Sequence, residues 1–371
     1  MASVGLAAIA FLWFFSLFII NPSVSGVIQL RLLEKHVAFF VFGDSLYDPG
    51  NNNYINTTAD YQANFCPYGK TFFHFPTGRF SDGRLIPDFI SQYAGRPLIP
   101  PYLKPGVTNY AYGVNFASGG AGVLVESHRG FVVDLQTQLR YFKKVEKRLC
   151  QKLGPAKAKK LISAAVYLFS AGGNDYISRF TADSTVFDKQ YKKEYVGMVL
   201  GNLTQVLQEI YKTGGRKFAF VSVPPLGCLP GIKVLKPENK GACYDEITSL
   251  AKLHNIQLPK VLRKIQSEHK DFNYTMYDLF TSISERIDDP SKYGFKDASM
   301  GCCGGGLYRG VYSCGGKRGE TEFELCDNVG DYFFFDSVHP SEKAYKQLSQ
   351  MFWSGGPDVT CPYNLEQFFE F

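Results

Sequence analysis

Short apolar runs alternate with longer amphipathic stretches along this chain, and that alternation limits the folds open to it. Five runs have the length of buried strands and meet Gly, Pro, Asn or Asp near their far ends: Val37–Phe42, Gly113–Ala117, Ala165–Ser170, Phe218–Val223 and Tyr274–Leu279. Asp134–Leu149 and Tyr195–Tyr211 space their apolar residues as helices do, and Pro340-Ser341 opens a last helix. We therefore expect βαβ units around a parallel sheet, with ligand groups at the carboxyl ends of its strands.

The first 26 residues have the composition of a signal peptide. Residues 6–20 are almost uninterrupted apolar, and small residues at 22–26 offer a cleavage site, although no Lys or Arg precedes the run. A retained anchor is the alternative, but a spanning helix needs about 20 residues, more than this run provides. We expect residues 1–26 to be removed and 27–371 to form a single domain, secreted from the cell and without a stable membrane span.

Cysteine usage fits an oxidising compartment better than a metal site. The chain has nine cysteines but no Cys-x-x-Cys pair. Four of them lie close together in a Gly-rich stretch that they could staple: Cys302, Cys303, Cys314 and Cys326. We expect residues 294–331 to form a long irregular loop. An odd number of cysteines leaves at least one thiol free or intermolecular.

Charge and glycosylation signals narrow the class of protein. The net charge of +6 over 371 residues is too dilute to favour nucleic-acid binding. Three N-glycosylation sequons begin at Asn56, Asn202 and Asn273. They agree with secretion, although sequons also arise by chance.

A serine, a histidine and an acid occupy positions that suit acyl transfer. Gly-Asp-Ser-Leu at 43–46 follows the first apolar run, so a buried strand would deliver the Ser45 hydroxyl to a turn. Far along the chain, Asp-Ser-Val-His at 336–339 places Asp336 three residues before His339, in a loop that leads into a helix. Each part also has a plainer interpretation, with Ser45 as a turn residue and Asp336 as a helix cap.

Acyl transfer also needs hydrogen-bond donors for the oxyanion. The Gly-rich loop 115–122 offers backbone N–H groups, and Ala-Gly-Gly-Asn-Asp at 171–175 offers the Asn174 amide. Each loop alone is a weak indication, because Gly-rich turns mostly serve backbone geometry. Four aromatic residues near these loops either line an acyl pocket or belong to ordinary packing: Tyr47, Tyr54, Phe65 and Phe116.

Together these segments resemble the plant branch of the GDSL esterase/lipase family, within the SGNH hydrolases. The first family block resembles 42–46 with Asp-x-Gly-Asn-Asn-Asn at 48–53, the second 115–122, the third Gly-Gly-Asn-Asp at 172–175, and the fifth Asp-x-x-His-Pro at 336–340. The blocks stand in family order and span residues 37–352. Departures are mild, since Phe335 stands where Trp is frequent and Ser341 where Thr is common.

The resemblance implies a three-layer α/β/α, flavodoxin-like fold and an esterase of small-molecule or lipid esters, with no metal or organic cofactor. It implies that Ser45 is the nucleophile, His339 the general base and acid, and Asp336 its orienting partner. It further implies an oxyanion hole from the Ser45 and Gly120 N–H groups and the Asn174 side chain. The choice of Gly120 over its glycine neighbours depends on the register of the loop.

Two other functions remain open at this stage. An acyltransferase would form the same acyl-enzyme and pass the acyl group to an alcohol, depending on whether the pocket excludes water. A catalytically silent protein would bind a lipid or cell-wall ester on the same scaffold, but Ser45, His339 and Asn174 are all present. Acyl chain length, disulfide connectivity and oligomeric state are left open.

Overall fold

A computed structural model describes residues 37–182, 189–235 and 237–370. The strands of this part, in chain order, are β1 (Phe39–Gly43), β2 (Gly113–Asn115), β3 (Val166–Ser170), β4 (Lys217–Val221), β5 (Asn273–Tyr277), β6 (Asp297–Gly301), β7 (Cys303–Gly304), β8 (Glu324–Leu325), β9 (Tyr332–Phe334) and β10 (Thr360–Cys361). The α-helices are α1 (Ile86–Tyr93), α2 (Leu135–Leu153), α3 (Pro155–Ala164), α4 (Gly173–Ala182), α5 (Lys189–Lys212), α6 (Pro230–Lys233), α7 (Asp245–Glu268), α8 (Leu279–Asp288), α9 (Glu342–Ser354) and α10 (Leu365–Glu370).

The main sheet has six strands in the order β2-β1-β3-β4-β5-β10. All neighbours are parallel except β10, which runs antiparallel to β5. Because the chain goes outward from β1 to β2 and then returns to β3 on the other side, the strand order reverses at β1. A reversal of this kind opens a crevice at the carboxyl ends of the strands. The segment after β1, which holds Ser45, lies at that point.

Helices flank the sheet in two groups. On one side α2 contacts α3 and α5, and α5 contacts α7, whereas α9 contacts α1 and α10. The predicted α/β class with three layers and a central, mostly parallel sheet is therefore confirmed. Among the described residues, no helix combines the length and the apolar character that a membrane crossing demands.

A ladder of aromatic rings holds the central strands together. Phe42 stacks on Phe169 with ring centroids 5.0 Å apart, and Phe169 stacks on Phe220 at 5.3 Å. β1, β3 and β4 are buried along their whole length, which explains why they appear in the sequence as continuous apolar runs. The packing of β1 fixes the platform from which the chain turns into Ser45.

The five predicted strands are confirmed, with ends displaced by at most two residues. The two predicted helices also form, but α2 continues to Leu153 and α5 begins already at Lys189. The last predicted helix is α9, and the Ser341 hydroxyl accepts a hydrogen bond from the Ala344 N–H at its start. The predicted signal peptide lies outside the described residues.

The expectation of an irregular loop over residues 294–331 is wrong in part. β6 pairs in parallel with β9, and β7 pairs antiparallel with β8. Two disulfides, Cys302–Cys326 and Cys303–Cys314, staple this segment as predicted, and a third joins Cys228 to Cys243. The remaining thiols are Cys66, Cys150 and Cys361. We call residues 302–326 the stapled loop.

Candidate active site

Ser45 lies in a tight turn directly after β1. The Asp44 carbonyl accepts hydrogen bonds from the N–H groups of Tyr47 and Asp48, at 3.1 and 3.0 Å. Gly43 has φ = 144°, and a Cβ there would lie 2.3 Å from the Ser170 carbonyl oxygen, so only glycine fits between β1 and β3. The close approach of the two strands fixes the direction in which the chain leaves β1. Ser45 lies in the turn that follows and is half-buried.

The structure brings Ser45, His339 and Asp336 into one hydrogen-bonded chain. The Nε2 atom of His339 lies 2.7 Å from Ser45 Oγ, and its Nδ1 atom lies 2.9 Å from both carboxylate oxygens of Asp336. Since a carboxylate only accepts, Nδ1 carries the proton and Nε2 is left to accept from the Ser45 hydroxyl. Ser45 and His339, which are 294 positions apart in the sequence, are thus in direct contact.

The interpretation of Asp336 as a helix cap is wrong, because Ser341 caps the following helix, but Asp336 does accept from backbone N–H groups of its own loop. Its Oδ1 atom accepts from the backbone N–H groups of Val338 and His339, at 2.8 and 2.7 Å, while the same carboxylate accepts from the imidazole. Burial alone would raise the pKa of Asp336, but the nearby His339, these N–H donors and the charge of Arg318 outweigh it and lower the pKa to about 2. The carboxylate is therefore anionic at neutral pH.

Two residues beside Asp336 were missed by sequence reasoning. The Tyr68 hydroxyl donates to Asp336 Oδ2 at 2.7 Å, and the Tyr68 side chain is buried. The guanidinium of Arg318 lies 5.4 Å from the centre of the Tyr68 ring and donates to the Gln62 and Cys314 carbonyls, at 2.8 and 3.0 Å. A lone tyrosine and a lone arginine in loops belong to no short motif, so no local signal marks them.

The residues predicted to supply the oxyanion donors lie together in the structure. Gly120 and Asn174 line a cleft with Ser45 and His339. Within the described part of the chain, the N–H groups of Ser45 and Gly120 donate to no protein acceptor, whereas the Gly119 N–H is already bound to Asp48 at 2.9 Å. Asn174 donates one amide hydrogen to the Ala121 carbonyl at 3.0 Å, which leaves the other for a ligand.

Comparison with known proteins decides the family. The sequence model of the GDSL-like Lipase/Acylhydrolase family matches residues 39–352. This chain belongs to that family. GDSL esterase/lipase 1 of Arabidopsis thaliana is 49% identical over 351 residues, 94% of each chain, and GDSL esterase/lipase 2 of the same plant is 48% identical over 343 residues, 92% and 91%. A GDSL lipase of Tanacetum cinerariifolium is 49% identical over 337 residues, 91% and 89%.

The resemblance identified from the sequence blocks is thereby confirmed, and this GDSL-family chain is a carboxylic ester hydrolase. The second alternative, a catalytically silent binding protein, finds no support in relatives that carry esterase and lipase names and match over most of their length. Among the described residues, no group of three or more His, Cys, Asp or Glu side chains is placed to hold a metal ion.

The Asp48–Asn53 segment of this GDSL-family chain fixes the Gly-rich loop. Asp48 accepts from the Gly119 N–H, Asn51 donates to the Asn115 and Ala117 carbonyls at 2.9 and 2.8 Å, and Asn52 donates to the Gly119 carbonyl at 2.9 Å. These side chains bind loop 115–122 and do not face the Ser45 hydroxyl. Their effect is to set the distance between Gly120 and Ser45.

Three of the four aromatic residues proposed for an acyl pocket belong to ordinary packing, and the fourth is exposed. Tyr47 and Phe116 lie in the core, Phe65 packs edge-on against Tyr68 with ring centroids 5.5 Å apart, and Tyr54 is exposed. Other side chains line the clefts that open on Ser45. Of the sequon asparagines, Asn56 is exposed, while Asn202 on α5 and Asn273 at the start of β5 are half-buried.

Proposed function

We propose that this chain is a secreted serine esterase that cleaves carboxylic esters through an acyl-enzyme on Ser45. The observation that carries the proposal is the 2.7 Å contact between His339 Nε2 and Ser45 Oγ, continued by the 2.9 Å contact between His339 Nδ1 and Asp336. An imidazole that accepts from a serine while it donates to a buried carboxylate is arranged to remove the serine proton.

In the first half of the reaction, Ser45 Oγ attacks the acyl carbon and its proton passes to His339 Nε2. The carbonyl oxygen becomes an oxyanion, which the N–H groups of Ser45 and Gly120 and the free amide hydrogen of Asn174 are placed to bind. Collapse of this intermediate breaks the bond between the acyl carbon and the alcohol oxygen. The leaving alcohol takes the proton from His339, and the acyl group stays on Ser45.

In the second half, a water molecule attacks the acyl carbon and gives a proton to His339. The second collapse breaks the bond to Ser45 Oγ, which regains that proton, and the carboxylic acid leaves. Asp336 stabilises the imidazolium in both halves, because its low pKa keeps it anionic beside the charged ring. An acyltransferase would differ only in that an alcohol replaces this water.

The test is a serine exchange at the proposed nucleophile. We expect Ser45→Ala to lose ester hydrolysis, measured with p-nitrophenyl esters on purified protein, while the melting temperature changes little because the hydroxyl lies at a turn. Ser163→Ala is the matched control, since the Ser163 hydroxyl bonds to the Lys160 carbonyl on the exposed surface of α3. A serine-directed phosphonate should add its mass at Ser45 in the wild type.

Hydrolysis that persists in Ser45→Ala, or phosphonate labelling at another serine, would overturn the assignment. The same assay with an added primary alcohol separates the transferase alternative, because a transferase would yield the new ester in place of the free acid. Secretion is supported by the three disulfides, which are typical of proteins outside the cytosol.

A further inference from the structure

The carboxylate of Asp175 follows Asn174 directly, in the first turn of α4. An acid at this position of a helix is ordinarily exposed, where the positive end of the helix dipole stabilises its charge. The Asp175 side chain is instead completely buried. A carboxylate removed from water needs hydrogen-bond donors from the protein, so its partners indicate what it does.

The donors come from the segment that follows Gly120. Asp175 Oδ2 accepts from the Val123 N–H at 2.9 Å. Its Oδ1 accepts from the Leu124 N–H at 2.9 Å and from the Ser127 hydroxyl at 2.6 Å. Because both carboxylate oxygens are engaged, the side chain has one orientation, and it holds residues 123–127 at a fixed distance from the first turn of α4.

Gly122 shows how closely the two segments approach each other. A Cβ atom at this position would lie 2.5 Å from Asp175 Oδ1 and 2.4 Å from Ser127 Cβ. Any larger residue would therefore push the carboxylate away from its donors. The glycine is required here for space, and the contact explains one of the glycines of loop 115–122.

The same segment also holds Gly120. Ser127 is followed by His128, whose Nδ1 donates to the Gly120 carbonyl at 2.8 Å. The φ of His128 is 52°, in the left-handed region that a residue other than glycine adopts at a cost. Hydrogen bonds on both sides stabilise this conformation, from Ser127 to Asp175 and from His128 to Gly120. Asp175 is thus linked to Gly120 through two adjacent residues, and it is the sequence neighbour of Asn174.

We propose that Asp175 is a positioning residue that fixes the spacing between the Gly120 N–H and the Asn174 amide, the two oxyanion donors that come from different segments. Asp175 lines neither of the clefts that open on Ser45, so it acts through these donors and not on the ester. The inference rests on the proposed function, because the spacing matters only if an oxyanion forms between the donors. Donors placed for the oxyanion stabilise the transition state more than the bound ester.

The first experiment measures kcat and KM of Asp175→Asn with p-nitrophenyl butyrate, using the full chain. The amide that replaces the carboxylate presents an N–H group where the Val123 or Leu124 N–H already points, so the segment has to move. We expect kcat to fall about thirtyfold while KM changes little, because a misplacement of about 1 Å costs on the order of a hundredfold in rate. A folded variant with the kcat of wild type would contradict the inference.

A double-mutant cycle with Asn174→Ala distinguishes positioning from a general loss of structure. If Asp175 acts through the Asn174 amide, the Asp175→Asn loss should shrink to about threefold once that amide is absent, the part that acts through Gly120. Asp82→Asn is the matched control, since Asp82 is a buried carboxylate that accepts from the Glu342 N–H at 2.7 Å. Its effect on kcat should be the same with and without the Asn174 amide. Equal losses from Asp175→Asn in the two backgrounds would overturn the inference.

Ser127→Ala is a milder variant that decides the question if the melting curve shows Asp175→Asn to be unfolded. It removes one of the three hydrogen bonds to Asp175, so we expect kcat to fall about threefold. The control is Ser349→Ala, because the Ser349 hydroxyl is also buried and donates to the Tyr345 carbonyl within α9, at 2.6 Å. Equal kcat values in Ser127→Ala and Ser349→Ala would overturn the inference.

The outcomes separate the two proposals. If Ser45→Ala loses hydrolysis but Asp175→Asn has equal effects with and without the Asn174 amide, the proposed function stands and the inference fails. If Ser45→Ala retains hydrolysis, the proposed function is wrong, and the inference fails with it.

Discussion

The Asp336 carboxylate receives four hydrogen bonds, three from its own loop and one from a distant part of the chain. Its neighbours Val338 and His339 supply the local donors, and the Tyr68 hydroxyl supplies the fourth from 268 positions away. A buried carboxylate held from two sides has one orientation toward the imidazole. Tyr68 is therefore a positioning residue, which acts through Asp336 and not on the substrate.

We expect Tyr68→Phe to lower kcat about tenfold and to leave KM nearly unchanged. The change removes a hydrogen bond to the charged Asp336, typically worth about 1.5–3 kcal/mol, and Asp336 is the partner of the proposed base, His339. The control is Tyr167→Phe, because the buried Tyr167 hydroxyl donates to the Ile162 carbonyl at 2.8 Å. Steady-state kinetics of both variants check this. If Tyr68→Phe and Tyr167→Phe have equal kcat values, Tyr68 has only a structural role.

At this scale, the residues that could be predicted are those whose neighbours in sequence are also their neighbours in space. Asp336 and His339 share a loop, and Ser45 ends a strand, so short patterns report them. Tyr68 and Arg318 meet Asp336 only through tertiary packing. Which glycine of loop 115–122 can bind an oxyanion depends on which backbone N–H is still free. The Gly119 N–H is already bonded to Asp48, and the composition of the loop does not reveal this.

Among the elements, the stapled loop is bonded to the backbone just before Asp336. The N–H groups of Cys302 and Cys303 donate to the carbonyls of Phe334 and Phe335, at 3.0 and 2.7 Å. Arg318 belongs to the same loop and donates to the carbonyl of Cys314. The cross-links therefore brace the segment that presents Asp336 and His339, although they contact neither.

We expect the double change Cys303→Ala, Cys314→Ala to lower both stability and kcat. The lost disulfide closes a loop with a sequence separation of 11, so the free energy of unfolding should fall by roughly 2–4 kcal/mol. The control removes the Cys228–Cys243 disulfide, which has a similar separation of 15 and lies outside the stapled loop. Denaturant unfolding measures the loss of stability, and steady-state kinetics measure kcat. Equal kcat values in the two double variants would show that the Cys303–Cys314 disulfide has no specific effect on the segment that carries Asp336 and His339.

The predicted strands share one property, a short and mostly apolar run, and strands without it were missed. β6 reads Asp-Ala-Ser-Met-Gly and forms within a segment held by disulfides and backbone hydrogen bonds, so hydrophobic periodicity is absent. α7 was not predicted either, and it contains Pro259, a residue that normally interrupts helices. In both cases, tertiary contacts override the local signal.

Over the whole molecule, buried carboxyl groups link stability to pH in opposite directions. Burial raises the pKa of Asp44 and of Asp48 to about 6, well above that of an unfolded chain, whereas Asp336 has its pKa lowered to about 2. Between about pH 4 and pH 6 the folded protein binds more protons through Asp44 and Asp48, so their ionisation destabilises the fold as pH rises. The contribution of Asp336 is lost only as pH falls from about 4 toward 2.

We expect Asp44→Asn to make the fold less sensitive to pH between 4 and 7. An amide can keep the bonds that the Asp44 Oδ1 atom accepts from Leu46 and Ser170 and carries no charge. Relative to wild type, the variant should gain on the order of 2 kcal/mol between pH 4 and pH 7. Urea unfolding at pH 4 and at pH 7 measures the free energy of unfolding of both proteins. If the difference between variant and wild type is the same at the two pH values, the pKa of Asp44 is not raised by folding.

Removal of residues 1–26 and glycosylation at Asn56, Asn202 and Asn273 stay predictions. The cleavage site falls outside the described residues, and the asparagine positions tell only how accessible each side chain is. A core of stacked rings and a parallel sheet follow from composition and periodicity, whereas export and modification depend on recognition by other proteins.

The separation between Ser45 and His339 has a consequence for biosynthesis. The proposed nucleophile, Ser45, leaves the ribosome first, and its proposed base, His339, follows 294 residues later. A nascent chain thus carries Ser45 without its partner imidazole until those residues have been made. In the proposed mechanism, ester hydrolysis begins only after the segment that carries His339 docks beside Ser45, so a chain that lacks this segment hydrolyses no ester.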